Sequence, residues 1–237
     1  MSRIVAIIGV IALTGCAVRL GGPKPLEYRT LAFSVAPQSG AEEVAGWIRQ
    51  ADANLVLLAA AADSAWFGEV ARQSKLNLSG PGSAGTISYG FLAGEPVGDT
   101  TLVLPLEGGG EITLHDALYK VDDRRFLDLL AVRVPENVHP REAVTELLEY
   151  IATDVMQESA VVLALDTPDS ATGDAMATLL RPAFRDARAC LPDADNGAAS
   201  APGMRLFFGP ATKLTCEGAR PLGVGGPLVA RLILRRY

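Results

Sequence analysis

At 237 residues the chain is long enough to bury a sizeable core and short enough that one domain is the expectation. Its 21 Lys and Arg against 27 Asp and Glu give a net charge of −6, with no basic block. That balance argues against non-specific binding to nucleic acid or to an anionic membrane surface, and it offers acidic substrates no electrostatic funnel. With only two histidines, His115 and His139, imidazole chemistry has little to build on.

The chain opens on Arg3 followed by a ten-residue apolar run, Ile4 to Leu13, and then Thr14, Gly15 and Cys16. The run is too short for a bilayer span, which needs about 20 apolar residues, and has the layout of a secretory signal. Leu13-Thr14-Gly15-Cys16 resembles the bacterial lipobox, in which the cysteine is lipidated and becomes the first mature residue. Residues 1–15 are therefore expected to be a lipoprotein signal peptide. Residues 16–26, with Gly21-Gly22-Pro23 and Pro25, are expected to be the lipid anchor and tether. Ala17 takes the place where an aspartate would favour inner-membrane retention, so the expected address is the outer membrane, facing the periplasm.

From residue 27 to 237 the pattern reads as a single domain. Tyr28 to Val35 predicts a strand. Ser39-Gly40-Ala41-Glu42 has the form of a capping box, and Val44, Trp47, Ile48 and Ala51 follow at helical spacing. Leu55 to Ala59 reads as a buried strand and Ser64 to Leu76 as a helix. Ser79 to Gly85 reads as a Gly/Pro-rich loop. Short β-like runs follow at Thr86 to Leu92, Thr100 to Leu106 and Glu111 to Leu114. Phe126 to Val134 is a longer apolar strand. Pro140 suits a first helical position, and Val144, Leu147, Leu148, Ile151 and Val155 mark the apolar stripe of a helix reaching Met156. Ala160 to Leu165 predicts another buried strand, Ala171 to Leu180 a helix, and Ala194 to Gly203 a loop. Strands at Met204 to Phe208 and Leu228 to Leu234 close the chain. Both halves read strand, helix, strand and then hairpins. The expected fold is α/β (α+β), a four-layered sandwich with two mostly antiparallel or mixed β-sheets face to face and helices outside.

Of three cysteines, Cys16 is assigned to the lipid. In an oxidising compartment the remaining Cys190 and Cys216 read as one disulfide, with two separate buried thiols as the alternative.

Other candidates carry weaker signals. His115-Asp116 could pair as acid and base, but such a dipeptide more often sits on a hairpin surface. His139 before Pro140 reads as the approach to a helix. Ser79-Gly80-Pro81-Gly82 and Gly108-Gly109-Gly110 lack the Lys-Ser/Thr of a P-loop and the spacing of a dinucleotide loop, so they read as turns. Asp166, Asp169 and Asp174 could gather a cation, although Asp169 and Ser170 equally fit a helix start. Trp47 and Trp66 fall within helices and read as core or half-buried packing.

Several segments fall in a recognisable order: a first strand carrying Ser34, then Asn54-Leu55-Val56-Leu57-Leu58-Ala59-Ala60, then Leu92-Ala93-Gly94-Glu95-Pro96-Val97. Next come a strand ending in Arg133, a helix opening near Arg141, and Leu165-Asp166-Thr167-Pro168-Asp169-Ser170. The closing segments are Arg205-Leu206-Phe207-Phe208-Gly209 and Gly223-Val224-Gly225-Gly226-Pro227-Leu228. This order resembles the endonuclease/exonuclease/phosphatase superfamily, the metal-dependent phosphoesterases related to DNase I.

The resemblance implies that Ser34 stands where the family has Asn, Ala60 where it has the metal-binding Glu, and Arg133 where it has a catalytic His. It likewise sets Val224-Gly225 where the family has its terminal Asp-His, and keeps Asp166 from the G-D-F-N segment with Pro168 in place of the Asn. Phosphoester hydrolysis needs a hard cation on oxygen ligands, a base and donors for developing charge. The implied reading is a phosphoesterase-like domain without its catalytic residues and without a metal or other cofactor. Its role would be binding or structure, its partners the membrane through the lipid on Cys16 and an envelope protein or ligand. The alternative is a divergent Mg²⁺-dependent phosphoesterase using Asp166.

Overall fold

In the computed structural model the described residues are 26–35, 39–84, 87–155, 159–192, 204–222 and 227–235. Cys16, Val224 and Gly225 lie outside them. The chain begins with strand β1 (Leu26–Val35), helix α1 (Ala41–Ala51), β2 (Leu55–Ala60) and helix α2 (Ser64–Ser74). Four antiparallel-paired strands follow: β3 (Asn77–Ala84), β4 (Ile87–Ala93), β5 (Gly98–Pro105) and β6 (Glu111–Lys120). The second half runs β7 (Phe126–Arg133), α3 (Pro140–Thr153), β8 (Ala160–Asp166), α4 (Ser170–Leu180) and the short β9 (Arg185–Asp186). A 3₁₀ turn (Ala187–Cys190), β10 (Arg205–Gly209), β11 (Leu214–Pro221) and β12 (Leu228–Leu234) complete it.

The strands form two six-stranded sheets. Sheet A has the order β11-β12-β1-β2-β4-β3 and sheet B the order β5-β6-β7-β8-β10-β9. Each contains one parallel pair, β1/β2 and β7/β8, because α1 and α3 carry the chain back across the outer face before the next strand starts. The other pairings are antiparallel. The four-layered sandwich expected from the sequence is therefore present.

Period-two alternation decides what each strand contributes to which core. Leu55, Leu57 and Ala59 of β2, Leu129 and Ala131 of β7, and Val162 and Ala164 of β8 fill the space between the sheets. Their neighbours Val56, Leu58 and Ala60 pack under α1 and α2 instead. Leu130, Val132, Leu163 and Leu165 pack under α3 and α4. All six residues of β2 are buried, which is why its sequence reads as an unbroken apolar run.

Helix ends follow local chemistry, with one departure. Asp63 accepts the Trp66 amide at the start of α2, and Asp169 accepts the Thr172 amide at 2.7 Å at the start of α4. The Ser39–Glu42 capping box does not form. Gly40 is the N-cap of α1 with no side-chain bond, and the Ser39 carbonyl instead accepts the Trp66 indole N–H at 3.3 Å. His139 precedes α3, with Pro140 in its first turn, as expected.

One expected loop needs correction. Ser79 to Gly85 is not simply a loop, because β3 extends to Ala84 along the edge of sheet A. Its pairing with β4 shifts register between Ser79 and Gly82, and that bulge accommodates Pro81, which has no N–H to offer a ladder. The segment from Leu92 to Val97 carries the chain from β4 in sheet A to β5 in sheet B.

Candidate functional site

Asp166 is the last residue of β8, and the β7/β8 register places it beside Arg133, the last residue of β7. Both follow the odd/even phase of the residues that face the opposite sheet. From that opposite sheet, Tyr89 of β4 reaches across, held by its pairing with Ala59 on β2. The Tyr89 hydroxyl donates to Asp166 Oδ2 at 2.8 Å, and Arg133 Nη1 donates to the same oxygen at 3.3 Å. The Asp166 side chain is 14% exposed and that of Arg133 36%, so the ion pair sits at the rim of the intersheet space. Tyr89 is almost completely buried; burial, then the nearby Asp166 charge and its hydrogen bond, push its phenol well above the usual tyrosine range.

The remaining positions at this end are aligned by register. Ser34, exposed near the end of β1, pairs with Ala59. Ala60, the position matched by sequence to a metal-binding Glu, turns out to face α1 and α2. Alternation makes Ala59 the residue of β2 that points between the sheets, and it too lacks a carboxylate.

A hard divalent cation takes six or more oxygen ligands and holds them through carboxylates. The donor set here does not fit one: Ser34 and Ala59 supply no carboxylate, and Asp166 already shares an oxygen with a guanidinium and a phenol. Among the described residues no group of three or more His, Cys, Asp and Glu side chains could hold a metal ion. Asp169 and Asp174 do not converge on Asp166. Asp169 caps α4, and Asp174 accepts from Arg205 at 2.6 Å.

His115 and Asp116 are not an acid–base pair and not on a hairpin surface. Adjacent strand residues point to opposite faces. His115 is 4% exposed, stacks on Phe91 between the sheets with ring centroids 5.0 Å apart, and bonds Thr101 through Nδ1. Asp116 faces α3, where the Tyr150 hydroxyl donates to it at 2.6 Å. Gly109 and Gly110 both have positive φ, which suits the tight turn between β5 and β6. Trp47 and Trp66 are half-buried, with edge-on contacts to Phe33 and Phe67. Arg141 is an exposed residue of α3.

Cys190 and Cys216 form a disulfide with Cα atoms 6.3 Å apart, within the range such a bond requires. Cys190 ends the 3₁₀ turn beside sheet B and Cys216 lies on β11 of sheet A, so the bond ties the two sheets together.

Tyr89 is the member of the site that sequence reasoning missed. The signal that could have found it is a tyrosine in an otherwise apolar inward phase, since a buried phenol needs a polar partner.

The two face-to-face sheets with their outer helices are the fold of endonuclease/exonuclease/phosphatase proteins. Among solved structures, an endonuclease/exonuclease/phosphatase family protein from Bacteroides thetaiotaomicron superposes with a TM-score of 0.67 at 9% identity, covering 90% of this chain and 100% of that one. A corresponding protein from Bacteroides vulgatus gives 0.66 at 12%, covering 89% and 100%. The human Nocturnin catalytic domain with bound sulfate gives 0.64 at 8%, covering 89% and 95%. No family model matches the chain. No curated protein matches it either. At such identities the likeness is one of fold.

Proposed function

We propose that this protein is a bacterial envelope lipoprotein, held by lipid on Cys16, whose phosphoesterase-like domain has lost its catalytic residues and serves a binding or structural role. The observation that carries the loss of catalysis is the Tyr89–Asp166–Arg133 cluster. The one acidic residue kept from the family's site is neutralised by an arginine and tied to a tyrosine of the opposite sheet, so it works as an internal brace.

The topology separates that end of the molecule from the point where the tether joins the domain. β1 starts at Leu26, on the side of the tether, and carries Ser34 near its far end. Eight residues at about 3.3 Å each put roughly 26 Å between them. With lipid on Cys16, the Arg133–Asp166 rim is the end of the domain opposite the start of β1, where a partner or ligand in the periplasm can meet it.

The test is hydrolysis by the purified protein of phosphodiester and phosphomonoester substrates with Mg²⁺, Mn²⁺ or Ca²⁺, compared with Asp166→Ala. The expected result is no turnover above the protein-free control from either. Metal-dependent turnover lost in Asp166→Ala would overturn this reading in favour of a divergent phosphoesterase that uses Asp166.

A further inference from the structure

A second set of ionisable groups lies on the outer face of sheet B, away from Asp166. Asp116 on β6 pairs in register with Leu130, and Asp128 on β7 pairs with Leu118, so the two aspartates are diagonal neighbours on one face. Diagonal neighbours have Cα atoms about 7–8 Å apart, close enough for two carboxyls to interact. Asp128 is 2% exposed. Asp116 Oδ1 and Asp128 Oδ2 are both shielded from water with no hydrogen-bond partner among the described residues. The lid over them is the last turn of α3, from which Tyr150 donates to the other oxygen of Asp116 at 2.6 Å.

We propose that Asp116 and Asp128 share a proton, and that this proton makes the docking of the α3 C-terminal turn on sheet B sensitive to pH. Two ionised carboxylates side by side in an apolar layer repel each other and leave buried charge uncompensated. One proton removes both costs and turns one carboxyl into a donor for an orphaned oxygen.

The groups around the pair reinforce this assignment. Asp154, the C-cap of α3, adds a further negative charge beside Tyr150, at the helix end that already carries the negative pole. Opposing them are the Ser159 hydroxyl before β8 and the Lys213 ammonium before β11, whose Nζ donates to the Ser159 carbonyl at 3.1 Å. Burial dominates this balance, and Asp128 is pushed up to about 7. Asp116 is also raised, by burial, against the pull of the Tyr150 hydrogen bond.

An unfolded-state Asp titrates near pH 4. Between about pH 4 and pH 7 the folded protein therefore holds a proton that the unfolded chain has released, so stability falls as pH rises through that window and levels off above it. The pair lies at the start of β7, five residues and roughly 17 Å along the strand from Arg133, so the brace at Asp166 is not part of the transition.

Hydrogen exchange of the full-length protein, corrected for intrinsic rates, tests this between pH 5 and pH 8.5. Protection of the amides from Tyr150 to Asp154 is expected to drop about tenfold across the range, while that of α1 stays level. Asp128→Asn should abolish the drop, and Asp116→Asn, which removes the like-charged neighbour, should move it to lower pH. Parallel profiles in wild type and both variants would overturn the proposal. So would recovery of protection at pH 8.5 on adding Ca²⁺ or Mg²⁺, which would make the pair a cation site instead.

Discussion

The Tyr89 hydroxyl and the Asp166 carboxylate, 77 residues apart in the chain and on opposite sheets, are joined by a 2.8 Å hydrogen bond across the rim of the sandwich. A hydrogen bond to a charged group contributes about 1.5–3 kcal/mol, and a partly buried carboxylate that loses one donor keeps much of its desolvation cost. Tyr89→Phe is therefore expected to lower stability by about 1–3 kcal/mol with the fold intact. Urea unfolding followed by circular dichroism measures it. An unchanged midpoint would mean the bond does not brace the sheets.

Gly90 follows Tyr89 and faces the other way, toward α2. A Cβ there would lie 2.7 Å from Phe67 Cδ1 and 3.0 Å from Leu78 Cδ1. Phe67 is completely buried and has nowhere to retreat. Gly90→Ala is expected to cost about 1–3 kcal/mol, the usual range for overpacking a filled core. Gly94→Ala, where a Cβ meets nothing within 4 Å, is the matched control and should be near neutral.

What was legible in the sequence follows from how each strand is buried. β2, β7 and β8 are covered on both faces, so their apolar runs stand out, and the helix between β7 and β8 announces itself through Pro140 and its stripe. β3 and β11 lie on sheet edges, carry Gly, Pro and polar residues, and show no such run. The site was half legible. Asp166 and Arg133 could be placed by their position at strand ends. The choice between Ala59 and Ala60 depends on which face each residue presents, and an all-apolar strand has no alternation to reveal it. Tyr89 was hidden because its partner comes from the other sheet, a relation no local pattern encodes.

The disulfide gives a prediction tied to topology. Cys190 and Cys216 are 26 residues apart, and constraining a loop of that size in the unfolded chain is worth about 3 kcal/mol. The double variant Cys190→Ala/Cys216→Ala should lose about that much stability, read from the denaturant midpoint. Mass spectrometry of protein isolated from cells should find both thiols oxidised. Two free thiols there would remove the bond from the native protein.

The anchoring proposal makes the last prediction. Leu13-Thr14-Gly15-Cys16 places a single cysteine where lipid would be attached. No helix among the described residues is long and apolar enough to cross a membrane. A single acyl chain holds a protein only marginally, whereas several chains bind it stably, each buried CH₂ adding about 0.8 kcal/mol. Wild-type protein expressed in a bacterium should therefore fractionate with membranes, resist extraction by high salt and carry the mass of a lipid on Cys16. Cys16→Ser should shift the chain to the soluble fraction or leave it unprocessed. Normal processing and membrane retention of Cys16→Ser would remove the lipid anchor from the proposed role.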